Sequence, residues 1–180
     1  MDQSDAFSFP LTITRPELMV DGNDRQLRRL LYDITALAAR IEQMRAEFAK
    51  RLEVSKPQYN ILLHLAQHQG DTGRTVAQVA EALRVTGAHV TKETRLLIDQ
   101  GLMVKHPNPE DGRSVLLMIS PEAGRRITEL SKVLRRVNDN LFATLSAEAF
   151  AQMSQHVHDT LNDAERTLRN LPFYLDDAAD

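Results

Sequence analysis

At 180 residues, with 42% hydrophobic content and a formal net charge of −3, the chain has enough apolar material for a folded domain with appended helices. It has no cysteine, which excludes disulfides, thiolate metal ligands, thiol nucleophiles and cysteine redox sensing. No apolar run approaches the roughly 20 residues of a spanning helix, and Met1 to Phe9 carry acids where a signal peptide carries Lys or Arg; a cytoplasmic protein with no membrane partner is expected. Net acidity runs against nucleic-acid binding unless a local basic face overcomes it.

Residues 1–22 hold Phe7, Phe9, Pro10 and Pro16 without periodicity and read as an N-terminal arm, disordered or laid over a partner, with no chemistry of its own. From Asp24, the residues Leu27, Leu31, Ile34, Leu37, Ile41, Met44, Phe48 and Leu52 recur at steps of three and four, one stripe of a long amphipathic helix over 23–54. Ser55-Lys56-Pro57-Gln58 has the form of a capping box with Pro in the first turn, opening a second helix that stops at Gly70. Thr75-Val76-Ala77-Gln78 repeats the form and opens a short helix through Leu83. Thr86 caps a fourth helix ending at Gly101, and a link of only Arg84-Val85-Thr86 gives helix-turn-helix spacing.

Leu102 to His106 and Ser114 to Ile119 are β-prone runs around an Asp111-Gly112 turn signal, a hairpin with a long tip. Ser120-Pro121 starts a long fifth helix with the stripe Ala123, Ile127, Leu130, Leu134, Val137 and Leu141. Ser146 starts the sixth, with Phe150, Met153, Val157, Leu161, Ala164, Leu168 and Leu171 in its stripe and Pro172 marking its end. The predicted organisation is a winged helix-turn-helix domain over 55–120, dimerisation helices over 23–54 and 121–172, and a tail over 173–180. The fold class is mainly α with a small β-hairpin wing. A helix of about 30 residues reaches roughly 45 Å, beyond a small domain, so burial of the long stripes calls for a homodimer.

Gln78-Val79-Ala80-Glu81-Ala82-Leu83-Arg84-Val85-Thr86, Gly101-Leu102-Met103-Val104-Lys105 and the segment from Asn108 to Gly124 resemble successive signatures of the MarR family of winged helix-turn-helix regulators. The resemblance runs from about Arg25 to Leu171 and implies the fold, dimerisation through terminal helices and control of transcription. Glu93 and Thr94 stand where that family usually has apolar residues, His89 where a small hydroxyl is common, and Gly112 replaces a frequent wing Arg.

With Val90, Thr94 and Leu97 turned inward, a rotation of 100° per residue sends Ala88, Thr91, Lys92 and Arg95 outward, toward a major groove, with Thr86 at the helix start. Small and hydroxyl residues allow close approach, while Lys and Arg donate to guanine edges. Asp111 and Arg113 flank a glycine, so the carboxylate is expected to brace the guanidinium as it enters a minor groove. Lys105 and Asn108 are candidates for phosphate contact. His64 and His68 have the i, i+4 spacing of a chelating pair but no third ligand that the sequence identifies, so surface or core histidines are the simpler reading. His156 and His158 diverge on their helix.

No Gly-rich phosphate loop, G-x-S-x-G or H-E-x-x-H is present, so neither catalysis nor a cofactor is expected. The leading reading is a sequence-specific regulator on a double-stranded DNA operator, a repressor relieved by a small organic effector near Tyr32 or Tyr59. An interaction or architectural winged helix, and a zinc-responsive regulator, are the alternatives.

Overall fold

The computed structural model describes residues 7–176. Its elements are a 3-10 turn (Pro16–Leu18), α1 (Arg25–Arg51), α2 (Lys56–His68), β1 (Arg74–Thr75), α3 (Val76–Leu83), α4 (Gly87–Asp99), β2 (Met103–Pro107), β3 (Val115–Ile119), α5 (Pro121–Leu141) and α6 (Ala147–Asp176). The described residues form two compact units, divided between Leu130 and Ser131 within α5.

The helix starts follow from side chains that satisfy otherwise orphaned backbone donors. Ser55 Oγ accepts from Gln58 N–H at 3.4 Å while Gln58 Oε1 accepts from Ser55 N–H at 2.9 Å, a complete capping box. Thr75 and Gln78 reproduce it at 3.2 and 2.9 Å. Thr86 Oγ1 accepts from His89 N–H, and Ser120 Oγ from Ala123 N–H. Between α3 and α4, Arg84 takes the left-handed conformation (φ 55°) and Val85 N–H returns to the Ala80 carbonyl at 3.0 Å, closing the turn in Schellman fashion.

Ile61, Leu62 and Leu65 of α2, Val79 and Ala80 of α3, and Val90 and Leu97 of α4 bury against Leu102, Met103, Leu117 and Ala123. This core fixes the crossing of α3 and α4 and seats the wing beside them. The sheet is antiparallel in the order β1-β3-β2, with Leu117 opposite both Arg74 and Lys105. A two-residue β1 carries too little periodicity to be read from sequence, where Arg74 and Thr75 show only a turn and a cap. Gly73 precedes it at φ 92°, where a Cβ would come within 2.9 Å of the Leu117 carbonyl and the Met118 side chain, so only glycine lets the loop close on β3. Gln69 Oε1, just past α2, accepts from Ile119 N–H at 2.8 Å and ties the wing to α2.

At the start of α5, Arg126 donates to Glu122 Oε1 at 2.8 Å, Glu53 Oε2 at 3.2 Å and the Leu52 carbonyl at 3.4 Å, clasping the end of α1. The described part of the arm is also pinned. Asp24 is buried, its Oδ2 accepts from Thr12 N–H at 2.8 Å and Thr12 Oγ1–H at 2.6 Å, its Oδ1 pairs with Arg28, and the Arg28 guanidinium lies 4.9 Å from the centre of the Phe9 ring. Thr12 and Phe9 thus tie the arm to its own chain at the start of α1, through a buried carboxylate that composition alone does not reveal.

In the second unit, Ser146 Oγ accepts from Ala149 N–H at 3.1 Å at the start of α6, and Phe142 meets Phe150 edge to face at 6.0 Å. Pro172 does not end α6, which runs on to Asp176. Proline removes one backbone donor, but the last residues need only the carbonyls that remain, so the helix carries through and the expected tail is helical over its first residues.

Candidate nucleic-acid interface

Helix α4 is divided lengthwise. Val90, Glu93, Thr94 and Leu97 are buried, whereas Ala88, Thr91, Lys92 and Arg95 are exposed. Ala88, Thr91, Lys92 and Arg95 line one open surface groove of about 650 Å³ together with Leu96 and Asp99. The four predicted contact residues are thus brought together, and Leu96 and Asp99 extend the set beyond the sequence reading. Thr91 Oγ1 donates to the Gly87 carbonyl at 2.9 Å, which leaves its oxygen facing outward as an acceptor. Thr86 is held as the cap of this helix.

Glu93, expected only as a departure from an apolar pattern, has a partner. Its Oε2 accepts from Gln58 Nε2 at 3.2 Å, and Gln58 Oε1 is the acceptor in the α2 capping box. One side chain therefore caps α2 and fixes the rotation of α4. Neither residue is a recognisable pair in sequence, because 35 positions separate them.

The wing tip corrects one expectation. Asp111 Oδ1 accepts from the backbone N–H of Arg113 at 3.0 Å, and no ion pair joins the two side chains among the described residues. The carboxylate shapes the turn and leaves the guanidinium exposed; a short aspartate next to a glycine reaches the near backbone donor more easily than the far end of an arginine. Asn108 is likewise committed to the turn, donating to Ser114 Oγ at 2.8 Å and accepting from Glu110 N–H at 3.1 Å, so its side chain organises the tip. Lys105 projects from β2 into solvent.

His64 and His68 lie side by side on α2 with ring centroids 4.8 Å apart. Among the described residues no group of three His, Cys, Asp or Glu side chains is placed to hold a metal ion. Tyr32 is 76% exposed on α1, whereas Tyr59 is buried with its ring 6.2 Å from that of Phe48. No helix among the described residues is long and apolar enough to cross a membrane.

A capped helix-turn-helix with an exposed recognition face and a β wing defines the winged helix-turn-helix class. Residues 52–114 match the model of the MarR family. The structure of S. aureus MepR bound to DNA is 21% identical with a TM-score of 0.62, covering 74% of this chain and 96% of that one. Wild-type MarR from E. coli is 19% identical at a TM-score of 0.56, covering 75% and 96%. PcaV from Streptomyces coelicolor, solved in complex with its natural ligand, is 25% identical at a TM-score of 0.56, covering 71% and 91%. None of the curated proteins compared matches the chain.

Proposed function

We propose that this chain is a MarR-family regulator, a homodimeric, sequence-specific DNA-binding repressor relieved by a small organic effector. The observation that carries the reading is the split face of α4, with Lys92 and Arg95 presented beside Ala88 and Thr91 over a buried apolar side. That face suits the major groove, where Lys and Arg read guanine edges. The exposed Arg113 at the wing tip suits the minor groove alongside. The MepR–DNA complex supports the same use of the fold.

The dimer is supported by apolar surface left open on the long helices. On α1, Leu30, Leu31 and Ile34 are 53%, 56% and 48% exposed. No residue of α6 is buried, although Phe150, Val157, Leu161 and Leu168 follow its stripe. Helices with so much uncovered apolar surface gain by burying it at about 25 cal/mol per Å², and a second copy presents the same surface. Relief by a small organic molecule follows the ligand-bound PcaV structure, and the absence of cysteine removes thiol oxidation as the signal. Of the two candidate tyrosines, Tyr32 is the one open to such a ligand, since Tyr59 is spent in the core.

Gel-shift titration against the DNA flanking the protein's own gene, with non-specific competitor, tests the reading. A discrete complex resisting competitor and dissolving with an aromatic acid or phenol is expected. Binding that competitor abolishes at every concentration would contradict sequence-specific repression.

A further inference from the structure

A second groove lies beside the turn, of about 370 Å³, lined by His64, His68, Arg74, Gln78 and Ala82 from α2, β1 and α3. Its lining contains no carboxylate. Gln78 Oε1 is taken by Thr75 N–H at 2.9 Å, which leaves the amide Nε2 as the free end. Arg74 Nε donates to the His68 carbonyl at 2.5 Å, which anchors the guanidinium at the end of α2 and leaves its terminal nitrogens for another partner. The two imidazoles stand 4.8 Å apart at their centroids. Every polar group available in the groove is thus a donor or a ring that becomes one on protonation.

From this donor set we infer that the His64–His68–Arg74 groove is an oxyanion site that takes a phosphate group. A metal ion is disfavoured there, since two imidazoles are the only ligands and a fixed guanidinium charge stands beside them. An anion reverses both objections, because arginine and protonated histidine give charge-assisted hydrogen bonds to its oxygens. Burial, the neighbouring His68 and the Arg74 charge together hold the His64 ring below its ordinary titration range. The charged or titratable groups facing it are His68 on α2 and Arg74 on β1, while Gln78 and Ala82 on α3 are uncharged. A bound anion offsets the repulsion that holds His64 down, so binding draws a proton onto that ring and strengthens as pH falls.

The phosphate could belong to a free ion or to the backbone of bound DNA. Histidine-labelled full-length protein is titrated with inorganic phosphate at constant ionic strength, with the ring nitrogens followed by NMR and His156 and His158 on α6 as internal controls. The ring signals of His64 and His68 should move saturably, the His64 titration midpoint should rise, and Arg74→Gln should weaken the binding about tenfold. His68→Gln, read at His64, serves if the Arg74 variant disturbs β1. If the four histidines move alike, if neither groove ring moves with phosphate or with DNA, or if zinc saturates the pair while phosphate does not, the site is refuted. The DNA source rests on the proposed DNA binding, whereas the phosphate titration does not, so the two fail separately. A backbone phosphate in the groove would lower the salt dependence of DNA affinity by about one ion in Arg74→Gln, whereas a free-ion site leaves that slope unchanged.

Discussion

Gln58 and Glu93 are joined by a buried hydrogen bond between α2 and the recognition helix α4, Nε2 donating to Oε2 at 3.2 Å. The same amide caps α2 through Ser55 N–H. Glu93→Leu should cost on the order of 1–3 kcal/mol, because it leaves a buried donor unmade, and Gln58→Leu should cost more, since it loses the cap and strands a carboxylate. The double variant should be less destabilised than the sum of the two. Urea denaturation of all four proteins checks this, and additive losses would show that the pair is not coupled.

Acid should release the arm. Asp24 is held down to about 2 from an ordinary 3.8, first by the Thr12 hydroxyl, then by the Thr12 backbone N–H, with Arg28 adding to both. Because the folded value lies below the unfolded one, the tie contributes fully above pH 3.8 and is lost as pH falls through about 2. The stability gap between the wild type and Asp24→Asn should be constant near neutrality and vanish across that window. A gap that instead opens on acidification would reverse the sign of the argument.

At the wing, Arg113→Ala should weaken operator binding about 10- to 100-fold, or roughly 1.4 to 2.8 kcal/mol, with an unchanged melting temperature. Asp111→Ala should act through the turn, loosening the tip that its carboxylate holds at the Arg113 N–H. Affinity equal to wild type in Arg113→Ala would remove the wing from the interface.

Self-association should fail when charge is placed on the open stripe of α1. Leu31 and Ile34 are 56% and 48% exposed in the isolated chain, so Leu31→Glu with Ile34→Glu should leave the fold intact and give a monomer in sedimentation at micromolar concentration. An unchanged dimer would move the interface elsewhere. Removal of residues 146–180 should leave an aggregating chain, and a soluble, well-folded monomer would count against a role for α6.

What was legible in the sequence was local. The boxes at Ser55-Gln58 and Thr75-Gln78, the caps at Thr86 and Ser120, and the inward set Val90, Thr94 and Leu97 of α4 depend on spacings of a few residues, and the structure has each of them. The rest depends on contacts between distant positions or on very short elements. Glu93 with Gln58, Gln69 with Ile119, and Arg126 with Leu52 are joined only by tertiary packing. β1 is two residues long and visible only through its pairing with β3. Asp111 reads in sequence as a charge partner where geometry makes it a turn former, and Pro172 as a stop where the helix tolerates it. The proposed anion groove is hidden for a similar reason: His64 and His68 read as ordinary surface or core histidines until Arg74, six residues beyond His68, is placed beside them.

The central claim is that the exposed side of α4 reads base sequence, and selection from a randomised duplex library by the wild type, Lys92→Ala and Arg95→Ala tests it most directly. The wild type should enrich a palindromic site, as a two-fold dimer requires. Each variant should lose preference at the base pair its side chain contacts, at about 1 to 3 kcal/mol of discrimination, while the rest of the site is retained. A wild type that enriches no sequence, or variants that bind every duplex more weakly by the same factor, would contradict the account, because Lys92 and Arg95 would then meet only the phosphate backbone.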